Sequence, residues 1–352
     1  MSLLYLPSTP WNLYLSVAHA VQSGESGHRL LLLDQCQPSP YLSALEATLG
    51  DVFEAVDQQV LSGKGLDKWR QRQQTFAQLD QWLKNMPHLA GIAVGSDRRV
   101  EFQYAMAKAS ALHSVAGHYL DDGLYSYMGR PWRPVKDRLD GWLKKSVYGR
   151  WWHTPPTIGA SDWITDVWAW MPDRLVPPLK NKRVHSISPA WFQQAPVQEW
   201  VAQLLEMFGV TSEQLDVDLI LLLTHPNNAR RMPGYEARVQ ALLARAREAG
   251  MRVAAKYHPR VGTADPFGVC KAGARLLPAG MVFEFVLPRL PARARLIGDV
   301  STTVLSARWL RPDLTVFALL DATHPFQQRV EPILRASGAQ IIHPEQIDLC
   351  IS

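Results

Sequence analysis

The most restrictive feature of this 352-residue chain is a series of short, unbroken apolar runs separated by stretches with helical spacing. Residues 28–34 read HRLLLLD, and residues 219–224 read LILLLT. Runs of this length without polar alternation belong to strands covered on both faces, as in parallel sheets. The first alternation predicts strands over 3–7, 28–34, 89–94 and 114–120. Helices over 11–22, 66–83 and 99–111 are interleaved with them. A proline- and tryptophan-rich stretch then reaches about residue 189. The second alternation predicts strands over 219–224, 252–256, 281–286, 295–297 and 315–319, with helices over 197–208, 235–249, 301–307 and 326–337. The expected class is therefore α/β, with two Rossmann-like domains, 1–195 and 196–352. Ligands are expected at the carboxyl ends of the strands, in a cleft between the domains.

Composition removes several other classes. With 47% hydrophobic and 20% charged residues the chain can bury a sizeable core, so disorder is not the expectation. Cys36, Cys270 and Cys350 are odd in number and lack CxxC spacing, which predicts neither a disulfide framework nor a zinc site. No apolar run of about 18 residues exists, and the opening MSLLYLPSTPW lacks the pattern of a secretory signal, so the expected location is the cytoplasm. The net charge of +5 favours anionic partners such as nucleotides, acidic glycans or anionic lipid.

Three motifs stand at predicted strand ends. Tyr119-Leu120-Asp121-Asp122-Gly123 puts two carboxylates and a turn-forming glycine after a strand, a place for a general base. The alternative is a solvated turn. Lys256-Tyr257-His258-Pro259-Arg260 puts an imidazole between two cations that suit anionic oxygens. Gly298-Asp299-Val300-Ser301-Thr302-Thr303 brings hydroxyls to a helix start, which serves equally as a phosphate site or as a plain N-cap. Asp216-Val217-Asp218 imitates a metal-binding DxD, but it leads into the amino end of an apolar strand and reads as a solvated strand entry.

An acidic pair with Gly, then Lys-x-His-Pro, then a Ser-Thr pair is the order found in bacterial sialyltransferases. The chain resembles their lipooligosaccharide sialyltransferase and polysialyltransferase group from the Ser8-Thr9-Pro10 turn to the Ser301-Thr302 pair. The resemblance implies a GT-B fold with CMP held by the C-terminal domain. It implies Asp121 as general base, with Asp122 orienting it or capping the turn, and His258 as general acid on the donor phosphate. Ser301 and Thr302 would bind that phosphate, beside Lys256 and Arg260, and Glu284, on the expected 281–286 strand, would bind the ribose. Thr224 closes the second domain's first strand on the donor side, and Asn12 and Asp97 take sugar-facing positions. The implied reaction is metal-independent, inverting transfer of sialic acid or a related nonulosonic acid from a CMP donor to a glycan hydroxyl, with no other cofactor. Two alternatives are a GT-B transferase using another nucleotide sugar such as CMP-Kdo, and a non-catalytic glycan- or anionic-lipid-binding protein.

Between Arg130 and His153 seven Lys or Arg face two Asp, interleaved with Trp132, Trp142, Trp151 and Trp152. This fits a helix lying on an anionic inner-membrane surface, near a glycolipid acceptor, or an ordinary helix covering the first domain's sheet. Nucleic acid is not an expected partner, since no DNA- or RNA-binding motif accompanies the segment.

Overall fold

The computed structural model describes every residue except 37, 263, 322, 323 and 352. The chain divides into two compact units, Met1–Leu204 and Leu205–Ser352.

The first unit is built on seven strands: β1 (Ser2–Leu6), β2 (His28–Gln35), β3 (Phe53–Val60), β4 (Leu89–Val94), β5 (Ala116–Leu120), β6 (Asp166–Ala169) and β7 (Arg183–Ser186). They pair in the order β3-β2-β1-β4-β5-β6-β7, every pair parallel. Consecutive residues Leu30 to Leu33 and Leu3 to Leu6 are all buried, which requires cover on both faces of the sheet and accounts for the unbroken apolar runs. The helix Pro10–Ser23 starts sharply because Thr9 caps it, accepting the Asn12 N–H at 3.1 Å, with Pro10 in the first turn.

The second unit carries six strands: β8 (Leu219–Leu223), β9 (Val253–Tyr257), β10 (Arg275–Leu277), β11 (Arg295–Gly298), β12 (Thr315–Leu319) and β13 (Gln340–Ile342). Their order is β10-β9-β8-β11-β12-β13, again all parallel. In each unit the first strand lies inside the sheet, with the second and third strands to one side and the fourth to the other. Winding reverses at that strand, and the carboxyl ends around it form the crevice where open α/β sheets bind ligands.

The expected strand at 281–286 does not form. Phe283–Phe285 and Leu287–Arg289 are single 3₁₀ turns, although Met281, Phe283, Phe285, Val286 and Leu287 are buried. Apolar continuity there comes from packing, and Pro278, Pro288 and Pro291 flank the segment. The strands β3, β6, β7, β10 and β13 lie outside the predicted set. β3 is an edge strand with a polar sequence, FEAVDQQV, and the others are only three or four residues long.

Candidate functional site

In the first unit the carboxyl ends of β1, β4 and β5 bring together Asn12, Gly95 and the Asp121–Asp122 pair. Asp121 is fully buried. One of its oxygens accepts the Gly123 N–H at 2.8 Å and the Ser126 hydroxyl at 2.6 Å. The other accepts the Tyr127 hydroxyl and, more weakly, the Trp170 N–H. Burial raises its pKa to about 6 despite these donors.

Asp122 differs in exposure and in partners. It is part-exposed; Asn12 Nδ2 donates to its Oδ1 at 2.7 Å, and Oδ2 has no partner among the described residues. Desolvation pushes its pKa up to about 7, the Asn12 hydrogen bond pulls it down, and the Asp121 charge adds to the rise. Asp121, the expected base, has both oxygens occupied inside the turn. Asp122 is the carboxylate with a free oxygen. Gly95 makes the Asn12 position available: a Cβ there would lie 2.3 Å from the Asn12 side chain.

Asp97, expected at a sugar-facing position, is engaged within its own unit. It is fully buried, and its two oxygens accept the Gly159 and Ser161 N–H groups at 2.8 and 2.7 Å. It clamps the proline-rich loop against the sheet, and burial raises its pKa.

In the second unit the ends of β8, β9 and β11 bring together Thr224, His225, His258, Asp299, Ser301 and Thr302. His258 is exposed, and its Nδ1 accepts the Arg260 N–H at 3.2 Å, so the neutral ring carries its proton on Nε2. Partial desolvation, then the Arg260, His225 and Lys256 charges, lower its pKa. His225 packs edge-on with the rings 5.8 Å apart. Arg260 is exposed in the same loop.

Ser301 caps the helix Thr302–Leu310 by accepting the Val304 N–H at 3.3 Å. Capping uses an oxygen lone pair and leaves the hydroxyl proton to donate, so the cap and phosphate readings coexist. Thr302 is half-buried in the first turn.

Lys256 and Glu284, both expected on the donor side, are engaged inside their own unit. Lys256 is buried, its ammonium donating to the Ala279 and Tyr257 carbonyls at 3.1 and 3.3 Å, and desolvation lowers its pKa to about 8. Glu284 is also buried and accepts the Ser306 hydroxyl at 2.5 Å; burial raises its pKa, which the Lys256 charge opposes. Both side chains are held by partners of their own unit.

Thr224 is buried, with its N–H on the Tyr235 hydroxyl at 3.0 Å and its side chain hydrogen-bonded to Asp299. Burial raises Asp299 to about 6. Asp299, His225 and Tyr235 lie outside the set singled out from sequence. Asp299 belongs to the strand-end motif Gly298-Asp299-Val300-Ser301-Thr302-Thr303.

Asp216 and Asp218 stand at the amino end of β8, paired with Arg252 and Arg293; Arg293 Nε lies 2.8 Å from Asp218. This is the strand-entry geometry expected from their sequence position. Among the described residues no helix is long and apolar enough to cross a membrane.

No family model matches the chain, and no curated protein matches it. Solved structures do. One is Arabidopsis thaliana UGT89C1 complexed with UDP-L-rhamnose, at TM-score 0.55 and 12% identity, covering 99% of this chain and 88% of that one. Another is a UDP-N-acetylglucosamine 2-epimerase, at TM-score 0.54 and 13% identity, covering 99% and 85%. Glycyrrhiza uralensis UGT73P12 complexed with glycyrrhetinic acid 3-O-monoglucuronide matches at TM-score 0.54 and 9% identity, covering 97% and 81%. At such identities the likeness is one of architecture. With its two parallel sheets, it gives this chain the two-Rossmann-like-unit GT-B fold.

Proposed function

We propose that this protein is an inverting glycosyltransferase that moves a sugar from a nucleotide donor to a glycan or glycolipid hydroxyl, with CMP-activated sialic acid or a related nonulosonic acid as the donor. The observation that carries the reading is Asp122: a part-exposed carboxylate with one free oxygen and a pKa near 7, at a strand end of a GT-B chain. In the proposed reaction Asp122 takes the proton from the acceptor hydroxyl. That oxygen attacks the anomeric carbon, the bond from this carbon to the phosphate oxygen breaks, and its electron pair leaves with the nucleotide. Departure from the face opposite the attack inverts the centre.

The leaving group is assigned to the second unit. The Nε2–H of His258, the Ser301 and Thr302 hydroxyls and the N–H groups at the helix start are donors for the developing phosphate charge. A phosphate monoester has a second pKa of about 6, so CMP departs near neutral pH without full protonation. A neutral imidazole that donates a hydrogen bond then suffices, in keeping with the lowered pKa of His258. In this role His258 stabilises charge more than it transfers a proton. Metal is not needed for the scheme.

Support for CMP comes from the motif order and from Lys256, whose ammonium is held by two carbonyls and so adds little to a diphosphate site. A second reading, UDP-sugar chemistry, draws on the similar structures, UGT89C1 complexed with UDP-L-rhamnose and a UDP-N-acetylglucosamine 2-epimerase. Thermal-shift screening with CMP, UMP, UDP and GDP, followed by turnover of CMP-sialic acid, CMP-Kdo and UDP-N-acetylglucosamine in EDTA, separates the readings. The expected result is stabilisation by CMP and EDTA-resistant release of CMP. A response to UDP alone would replace the proposed donor. Tight glycan binding without turnover of any donor would make the chain a binding protein.

A further inference from the structure

We propose that the outward face of the helix Pro134–Tyr148 docks on an anionic lipid bilayer. A surface helix ordinarily turns its apolar stripe inward. This one turns it outward: its buried residues are Asp137 and Gly141. Asp137 accepts the Arg133 N–H and an Arg130 N–H at 2.8 Å, and it reaches Arg98 at 3.5 Å. Gly141 passes so close to Thr154 that a Cβ would lie 2.3 Å from its hydroxyl. Lys144 sits 4.5 Å over the Trp152 ring, and the Tyr148 hydroxyl accepts from Arg72 at 2.8 Å. Polar contacts and a glycine thus fix the inner side.

The opposite side carries Val135, Leu139, Trp142, Leu143 and Val147, between 48% and 82% exposed. Their spacing of four, three, one and four residues forms one continuous stripe at about 100° per residue. At that spacing exposed Lys136 falls within the arc, between Leu143 and Val147, exposed Arg138 and Lys145 border one margin, and exposed Trp132 stands just before the helix. Asp140, the helix's other acid, is paired with Lys144 at 2.9 Å.

An apolar stripe that holds a lysine within its arc and has a cationic margin matches acyl chains beneath anionic headgroups, with tryptophan at the boundary. A second copy of the chain would cover the stripe but set like charges against each other, so charge complementarity favours lipid. This inference stands independently of the donor chemistry.

The test is co-sedimentation of the full chain with vesicles of phosphatidylcholine, alone or mixed with phosphatidylglycerol. The wild type is expected to pellet with the mixed vesicles and to be released by salt. Leu139→Ser with Leu143→Ser should lower the bound fraction about tenfold or more, and Lys136→Glu with Arg138→Glu and Lys145→Glu should abolish the preference for phosphatidylglycerol. All five side chains are exposed, so both variants should keep the wild-type melting temperature. Wild type that stays in the supernatant at low salt, or variants that pellet like wild type, would overturn the proposal. A dimer in light scattering that the serine variant dissolves would reassign the stripe to a second copy.

Discussion

Replacing Asn12 by alanine removes the hydrogen bond that reaches Asp122 and leaves both carboxylates in the chain. Asn12 Nδ2 lies 2.7 Å from Asp122 Oδ1, and its hydrogen bond lowers a pKa otherwise raised by desolvation and by Asp121. A hydrogen bond to a charged group contributes about 1.5–3 kcal/mol. Water reaches the part-exposed Asp122 and recovers part of that, so the working figure is about 1.4 kcal/mol, or roughly one pKa unit. The wild-type value of about 7 then moves to about 8. A general base acts when deprotonated, so kcat/KM rises with pH, and the variant's rising limb is displaced upward. At pH 7 the ionised fraction falls from about one half to about one tenth, a roughly fivefold loss that disappears near pH 9. The assay is donor turnover from pH 5.5 to 9.5, supported by carboxyl carbon-13 titration of Asp122 assigned with Asp122→Asn. A rising limb that stays in place, or a loss equal at every pH, refutes Asp122 as the base and reduces Asn12 to a packing residue.

Asp122→Asn should lower turnover by about a hundredfold or more while nucleotide binding by calorimetry is kept; wild-type turnover would remove the base from this position. His258→Ala should lower turnover about tenfold to a hundredfold with a smaller effect on the KM for the acceptor, and an effect confined to acceptor KM would move His258 away from the leaving phosphate. Acid sensitivity should trace in part to His19, buried against Trp168 and bonded to the Tyr5 hydroxyl at 2.8 Å, with its pKa lowered by burial to about 3. Its stabilising effect is complete above the unfolded value of about 6.5 and is lost as pH falls toward the folded value, by about 2 kcal/mol between pH 7 and pH 5. Asp121, Asp122 and Asp299, raised in the folded state, act in the opposite sense over that interval, so the measurement is the difference in urea midpoint between wild type and His19→Gln. Equal acid sensitivity in the two proteins would refute the assignment.

Most of the architecture was legible in apolar periodicity. Strands such as β4 and β12 end where the sequence says they should, because their residues must pack on both faces. The errors have physical causes. β3 lies at an edge and needs little apolar surface. β6 owes its place to Trp168, which stacks on His185 and meets His19 and Trp191, contacts that no local pattern announces. Gly117 likewise looks like any strand glycine, yet a Cβ there would lie 1.9 Å from the Trp163 carbonyl, so its missing side chain lets the incoming loop pass.

The candidate site divides along the same line. Position in the chain located the acidic pair, the histidine and the hydroxyl cap at strand ends, because the crevice of an open parallel sheet is a property of topology. Which acid of the pair does the chemistry is a property of three-dimensional surroundings. Asp121 and Asp122 are adjacent and chemically identical in sequence, but the turn closes over one and exposes the other. Ser126 and Tyr127 follow within two turns of helix and fill the inner carboxylate, while the outer one meets Asn12 from 110 residues away. The inner charge remains close enough to hinder ionisation of the outer one. Asp121 therefore contributes to the proposed chemistry without touching substrate: it anchors the turn and helps hold Asp122 near neutrality, where a base exchanges protons most effectively.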